Sequence, residues 1–453
     1  MRHKFLFSFL LACLFVLVGC GGDGFPKNPN LVTDEDLRVF VDAIMHQQYY
    51  WSAETKTVDP LSYDDAESLL LDLRQADYDR WTYLTTPGEQ DAYYSEGQYV
   101  GFGYSSRWCD DDSIELLIVQ PGSPADRAGL RRGSRLIAIA GIPTSDLRSD
   151  AVAYQQALGE QAEGVSVDFT VVYSDGSQRE LRMTRAVVTL DPVPTAVVQS
   201  LSGGTRVGYL VFHQFISPAR AAFTQALKDL RSAGIDELVI DLRYNGGGSL
   251  QVAQELLSLL LPPQPVARAG LWPFADMASG LSSRPLLFTL QFNDTGWQGD
   301  RHFYRLNLAA EGPVVDRIVF LTGAGTASAS ETVINSLRPY LDVILIGDTT
   351  HGKPVGMNSF SHPPSGKLLV PITFRVINAA GEGDYFDGFA PDAVATDSTA
   401  WALGDTDEPL LQTALQYFLT GQLQGTATAS STRVRELNPQ EAYSGFNGAI
   451  NWL

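Results

Sequence analysis

The 453-residue chain predicts an α/β domain with smaller modules ahead of it. Short apolar runs, Leu238-Val239-Ile240, Arg317-Ile318-Val319-Phe320-Leu321 and Val343-Ile344-Leu345-Ile346, read as buried strands. They alternate with helical stretches at 218–233, 250–261 and 331–337, the last two stopped by Pro262-Pro263 and near Pro339, which is the pattern of a layered sheet. Thr33-Asp34-Glu35-Asp36, a cap residue followed by acids, reads as a helix start for a small helical region at the front.

In chain order, Arg2 and Lys4 precede an apolar run from Phe5 to Val18 that is too short for a permanent membrane span and reads as a secretory leader. Leu17-Val18-Gly19-Cys20 resembles a bacterial lipobox, so residues 1–19 are expected to be removed and Cys20 to carry lipid. An ordinary leader with an incidental cysteine is the alternative. The resulting expectation is a bacterial cell-envelope protein held to the lipid bilayer through Cys20 and facing the periplasm. Residues 20–30 form a Pro/Asn/Gly tether, 31–97 the helical region, 98–189 a second module, 190–420 the α/β domain, and 421–453 a Gly/Thr/Ala/Ser linker with a terminal tail. The stretch 264–310, with Trp272, Phe274, Phe292 and Trp297, matches no interpretable motif. With Cys13 removed and Cys20 acylated, Cys109 stands alone, so a large core and no internal disulfide must hold the fold.

Composition narrows the function. A formal net charge of −20 argues against nucleic acid or an anionic membrane surface as an electrostatic partner. No His, Cys and carboxylate cluster has zinc spacing, and neither a metal nor a cofactor is expected.

The chemistry concentrates in Thr326-Ala327-Ser328-Ala329-Ser330-Glu331, with Lys353 of Thr349-Thr350-His351-Gly352-Lys353 following 25 residues after Ser328. Ser328 falls between a strand and a helix, where unpaired N–H groups and the helix dipole would stabilise an oxyanion. Lys353 lies on the loop after the next strand, and neighbouring strands can put both loops at one sheet edge. A lysine base must be neutral, so burial must lower its ordinary value of about 10.4, and a drop of about 3 units corresponds to roughly 4 kcal/mol. The apolar strand just before the loop is the expected source of walls. Two other readings compete. Ser328-Ala329-Ser330-Glu331 fits the S-x-x-E capping box, in which Ser328 only caps a helix and Lys353 is a solvated lysine. Gly323 to Ser328 also fits a loose dinucleotide-binding turn, with Asp348 as the ribose acid. His351 is an alternative base.

The combination resembles the C-terminal processing peptidases, or tail-specific proteases. The resemblance makes Ser328 the nucleophile and Lys353 the base, and it implies a crotonase-like fold for the α/β domain. Asp241-Leu242-Arg243-Tyr244-Asn245-Gly246-Gly247-Gly248 is similar to the family turn that contributes to the oxyanion hole; Gly247 and Gly248 both match, and Gly248 is the one expected to donate, with Ala329 as second donor. Asp79-Arg80-Trp81-Thr82-Tyr83-Leu84 and Gly388-Phe389-Ala390-Pro391-Asp392 also resemble family segments and read as structural. One departure stands out: where many relatives carry a base-orienting Gln, this chain has Met357, followed by Asn358. Either Asn358 substitutes, or a bare Ser/Lys dyad operates, or activity is reduced.

Residues 98–189 resemble a PDZ domain, a β-rich module. Val100-Gly101-Phe102-Gly103-Tyr104 matches the loop that binds a peptide carboxylate, with Gly101, Phe102 and Gly103 as binding positions, and Pro121 to Leu130 matches the downstream signature. In such a module an extended tail adds to a sheet edge while N–H groups hold its carboxylate. A β-rich module that binds nothing is the alternative, and Ser134 replaces the usual Asp. The resemblance implies a lipid-anchored serine endopeptidase that captures unstructured protein C-termini, with a catalytically weak or inactive PDZ scaffold as the runner-up.

Overall fold

The computed structural model describes residues 34–261, 284–293, 299–308 and 312–424. The expected leader, Cys20, the tether, most of 264–310 and the terminal tail lie outside them.

The α/β domain is built on a six-stranded sheet in the order Thr195–Ser200, Arg206–Val211, Glu237–Asp241, Arg317–Thr322, Asp342–Gly347 and Ala393–Val394. The first pair is antiparallel and the rest are parallel. Because strand side chains alternate, each continuous apolar run feeds two layers at once. Leu238, Ile240, Ile318, Phe320 and Leu345 enter one core with helices Ala219–Ser232, Leu250–Leu260 and Ala329–Leu337. Val239, Val319, Leu321, Ile344 and Ile346 face the other way, onto helix Pro409–Thr420. A smaller antiparallel sheet of Arg301–Tyr304, Leu286–Phe292, Ile372–Asn378 and Val355–Met357 stands beside the first. Three parallel strands end at one edge and release the turns after Asp241, Thr322 and Gly347, where an open α/β sheet presents its chemistry.

The β-rich module carries strands Tyr104–Trp108, Ile114–Val119, Arg135–Ile139, Ser166–Val172 and Gln178–Thr184 in that order, around Phe102, Leu116, Leu136, Leu158 and Phe169. Gln98–Gly101 pairs with Ala186–Thr189, so entry and exit are clasped together. Cys109 is a free thiol here.

A carboxylate, Asp397, sits at the centre of the contact between the module and the α/β domain. Asp397 accepts from Arg107 at 2.8 Å and Arg132 at 2.9 Å on the module side, and from Arg243 at 3.1 Å and the Tyr244 hydroxyl at 2.7 Å on the other. Burial raises its carboxyl, but the three arginines outweigh burial and hold it down to about 2, so it is charged across the physiological range. Arg243 is itself bracketed by Asp241 and Glu408, which leaves no buried charge unanswered in the cluster.

The front region is not a free-standing unit. Leu37, Val41 and Met45 lie four apart on helix Asp34–Gln47 and pack with Leu69 and Leu73 of helix Ala66–Leu73, whose first turn is capped by Asp65. This cluster includes Val355, Leu369 and Ile372 of the α/β domain. Strand Tyr83–Thr85 completes the union by pairing antiparallel with Lys367–Val370.

Candidate active site

Ser328 precedes helix Ala329–Leu337 in a conformation that L-residues seldom adopt, φ 56° and ψ −114°. Such a backbone stores about 1–3 kcal/mol and persists only where its surroundings over-determine it. The turn after Asp241 does this. The Asn245 carbonyl accepts from Ala327 N–H at 3.1 Å and from the Ser330 hydroxyl at 2.9 Å. A Cβ on Gly247 would sit 2.8 Å from that of Ser328 and 2.7 Å from the Ala327 carbonyl, so only glycine allows the two turns to touch. The two serines separate chemically: Ser330 is buried and spent on Asn245, whereas Ser328 is half-buried.

Both glycines expected near the oxyanion lie here, and their N–H groups differ. Gly247 donates to Asn245 Oδ1 at 2.9 Å, while Gly248 N–H and Ala329 N–H have no acceptor among the described residues. Gly248 is held against Phe215, whose carbonyl would lie 2.4 Å from a Cβ at that position.

Glu331 joins this turn to the lysine loop. Its carboxylate is fully buried and accepts four bonds: Oε2 from Ser328 N–H at 2.9 Å and Lys353 N–H at 2.8 Å, Oε1 from Gly352 N–H at 2.7 Å and the Thr350 hydroxyl at 2.6 Å. Burial raises its carboxyl above the usual range, and the four donors oppose that rise. The S-x-x-E pattern is therefore a cap and something more, since the same oxygen that accepts from Ser328 also positions the backbone of Lys353.

Lys353 is only 4% exposed. Burial brings its ammonium down from 10.5 to about 7, with Arg80 adding to the fall and the Asp79 and Glu331 carboxylates opposing it. The walls differ from those expected. Val343 to Ile346 are used up in the two core layers of the sheet, and the lysine is enclosed instead by the Trp81 ring, 5.2 Å from Nζ, and by Met357, whose sulfur is 3.5 Å away. The segment Asp79 to Leu84, read from sequence as structural, thus supplies part of the site. The reading missed it because nothing local in a tryptophan 272 residues upstream announces a lysine as its neighbour.

Asn358 does not orient the lysine: its amide donates to Thr373 Oγ1 at 2.6 Å. Consecutive residues of an extended chain point to opposite sides, so with Met357 on Nζ its successor is turned away. His351 is also committed. Its Nε2 accepts from the Trp81 indole at 3.3 Å, and burial together with the Arg80 and Lys353 charges brings its imidazole down to about 4. Its accepting lone pair is occupied, which disfavours it as a base.

In the β-rich module, the Phe102 carbonyl accepts from Ala125 N–H at 2.9 Å and the Gly103 carbonyl from Gln120 N–H at 2.8 Å. Gly103 has φ 87°, and a Cβ there would fall 2.0 Å from that of Ser123. The N–H groups of Phe102 and Gly103 have no acceptor among the described residues, whereas Gly101 is tied into the strand pair with Ala186. Strand Tyr104–Trp108 follows at the edge of its sheet, with Ile114–Val119 on one side. An edge strand beside spare donors is the geometry for strand addition. No group of three or more His, Cys, Asp or Glu among the described residues could hold a metal.

The buried lysine has a consequence for stability. The unfolded chain keeps its proton up to about pH 10.5 and the folded chain only to about 7, so stability rises with pH through that window and the full penalty applies below it. Lys353→Met is expected to be more stable than the parent at neutral pH, by on the order of a few kcal/mol, with the gap closing toward alkaline pH. Urea denaturation across the window checks this; equal stability throughout would show the lysine to be solvated.

Comparison with known proteins follows the same geography. Residues 206–395 match the Peptidase family S41 profile, 119–172 a PDZ domain and 37–83 the Peptidase S41 N-terminal domain. A carboxyl-terminal-processing protease of Picosynechococcus sp. is 26% identical over 341 residues, 74% of this chain and 75% of the relative. A protease of the same name from Synechocystis sp. is 28% identical over 266 residues, 58% of this chain and 55% of its own length. The fold is shared with a putative S41 protease from Bacteroides fragilis, with a TM-score of 0.63 at 23% identity over 88% of this chain and 99% of that one. It is also shared with a photosystem II D1 C-terminal processing protease, with a TM-score of 0.53 at 20% identity over 84% and 97%. A strained serine ahead of a helix, a glycine turn packed against it and an attached PDZ domain are accounted for together: the chain belongs to peptidase family S41, the C-terminal processing peptidases, and is a serine-type peptidase.

Proposed function

We propose that this chain is an envelope endopeptidase that captures unstructured protein C-termini through its PDZ domain and cleaves peptide bonds with a Ser328/Lys353 dyad. One observation carries the reading: the backbone N–H groups of Ser328 and Lys353 are held on a single oxygen of Glu331, with the lysine side chain buried, which brings its ammonium down to about 7. Ser328 Oγ attacks the scissile carbonyl as Lys353 Nζ takes its proton, and the carbonyl oxygen, now negative, lies on Gly248 and Ala329 N–H. Lys353 then returns the proton to the departing amine as the C–N bond breaks, leaving an acyl-serine. Water, deprotonated by the same lysine, attacks the ester; the collapsing intermediate expels Ser328, which recovers the proton. Glu331 and Asp79 favour the transient ammonium, and burial favours its loss, so the same lysine serves in both directions. Asn358 donates its amide to Thr373, so the reading takes the dyad as Ser328 and Lys353 without help from Asn358. The Met357 thioether on Nζ is the observation favouring the second reading, a weak or inactive scaffold.

A fluorophosphonate probe is expected to label the parent and Ser330→Ala but not Ser328→Ala. Hydrolysis should rise with pH through an apparent pKa near 7, because the neutral amine is the active form, and Lys353→Arg should lose at least about 100-fold, since a guanidinium keeps its proton. A labelled Ser328→Ala, or an active Lys353→Arg, would remove the dyad; a folded parent that never labels would favour the scaffold.

Tail capture rests on the spare N–H groups of Phe102 and Gly103 beside the edge strand. Amidating the C-terminus of a peptide substrate should raise KM about ten-fold or more, because a charged acceptor is lost, with kcat little changed at saturation. Equal KM for acid and amide would discard this part and leave the hydrolase intact.

The envelope assignment rests on Leu17 to Cys20. Cys20→Ser should abolish lipid modification and processing after Gly19, and Cys109→Ser should not; mass spectrometry of the mature N-terminus decides, and an unmodified Cys20 there would count against the anchor.

A further inference from the structure

We infer that Trp81, delivered by the N-terminal region, is a positioning residue of the active site, which keeps water from Lys353 while its indole is anchored on His351. The inference rests on the Ser328/Lys353 reading. Trp81 is 5% exposed, its ring centre lies 5.2 Å from Lys353 Nζ, and its indole N–H donates to His351 Nε2. It is over-determined from its own side. Asp79 Oδ1 accepts the N–H groups of Trp81 and Thr82 at 2.9 Å, and Oδ2 accepts the Tyr49 hydroxyl at 2.7 Å and the Thr82 hydroxyl at 2.5 Å. Thr82 Oγ1 in turn accepts Ile372 N–H at 3.1 Å, which ties the segment to the sheet that carries Met357.

The ring acts on the lysine in two opposed ways. As a wall it excludes water, disfavouring the ammonium; as a π-face it attracts that ammonium. The charged or titratable groups that face Nζ are Asp79 and Arg80 from the same segment, Glu331 from the serine helix, and His351 from the lysine's own loop. The two carboxylates favour the ammonium and Arg80 disfavours it, yet the net displacement is downward to about 7, so desolvation exceeds the attractions. Removing the ring therefore lets water in and moves the lysine up.

The test uses the full chain and a quenched peptide ending in a free carboxylate, with kcat and KM measured from about pH 5.5 to 10 for Trp81→Ala, Trp81→Leu and Trp81→Phe. For Trp81→Ala, the alkaline rise should move up by about one unit, which lowers kcat at pH 7 about five-fold. The high-pH plateau should stay within about two-fold of the parent and KM should hold. Trp81→Phe keeps an aromatic wall without the indole N–H and should keep the parent's inflection. If Trp81→Ala does not fold, Trp81→Leu, which leaves less of a gap, decides by a shift in the same direction. A lowered plateau with an unmoved inflection would mean a merely structural tryptophan and overturn the inference, as would an unchanged profile. A parent with no inflection below about pH 10 would instead fail at the dyad itself.

Discussion

The buried carboxylate of Glu331 is the constraint from which the rest of the site follows. An isolated anion in a protein interior is costly, and this one is tolerated because four donors converge on it. Those donors come from two turns on adjacent parallel strands, so satisfying the carboxylate is the same event as joining the serine turn to the lysine loop. The Thr350 hydroxyl that donates to Glu331 also accepts Phe389 N–H at 2.7 Å, extending the tie to the Gly388 turn. Gly352 and Gly388 make the approach possible: a Cβ on the first would lie 2.2 Å from the Phe386 carbonyl, and on the second 2.0 Å from that of Thr350.

Around this centre, the two flanking modules meet the α/β domain by different physics. The PDZ domain is joined by charge, through Asp397 and its three arginines beside the turn that leads from Arg243 and Tyr244 to Gly247 and Gly248, and by apolar contact of Leu117 and Ile118 with Tyr244. The N-terminal region is joined by apolar burial and a strand pair, and it reaches the lysine through Trp81.

Much of the fold was legible locally. Helices expected over 218–233, 250–261 and 331–337 appear as Ala219–Ser232, Leu250–Leu260 and Ala329–Leu337, since their ends are written in caps and prolines that act within a turn. The Ser328 turn was legible too, because its glycines and small residues are local requirements. What escaped was contact between distant segments. The preceding strand, which the sequence suggests as walls for the lysine, is divided between two core layers; of the three readings the sequence leaves open for the missing Gln, the one with Asn358 in its place is disfavoured, since that amide lies on Thr373 and Met357 meets Nζ.

The sequence by itself determined the order of strands and helices, the composition of the two turns and the presence of a PDZ-like module, because periodicity, caps and glycines act over a few residues. Only the tertiary structure decided that Glu331 serves both turns, that Trp81 and Met357 enclose Lys353, and that His351 is occupied by an indole. The state of the lysine shows the reason most plainly. A side chain's charge in the interior depends on every dipole and wall within several ångströms, and these arrive from segments that packing alone brings together.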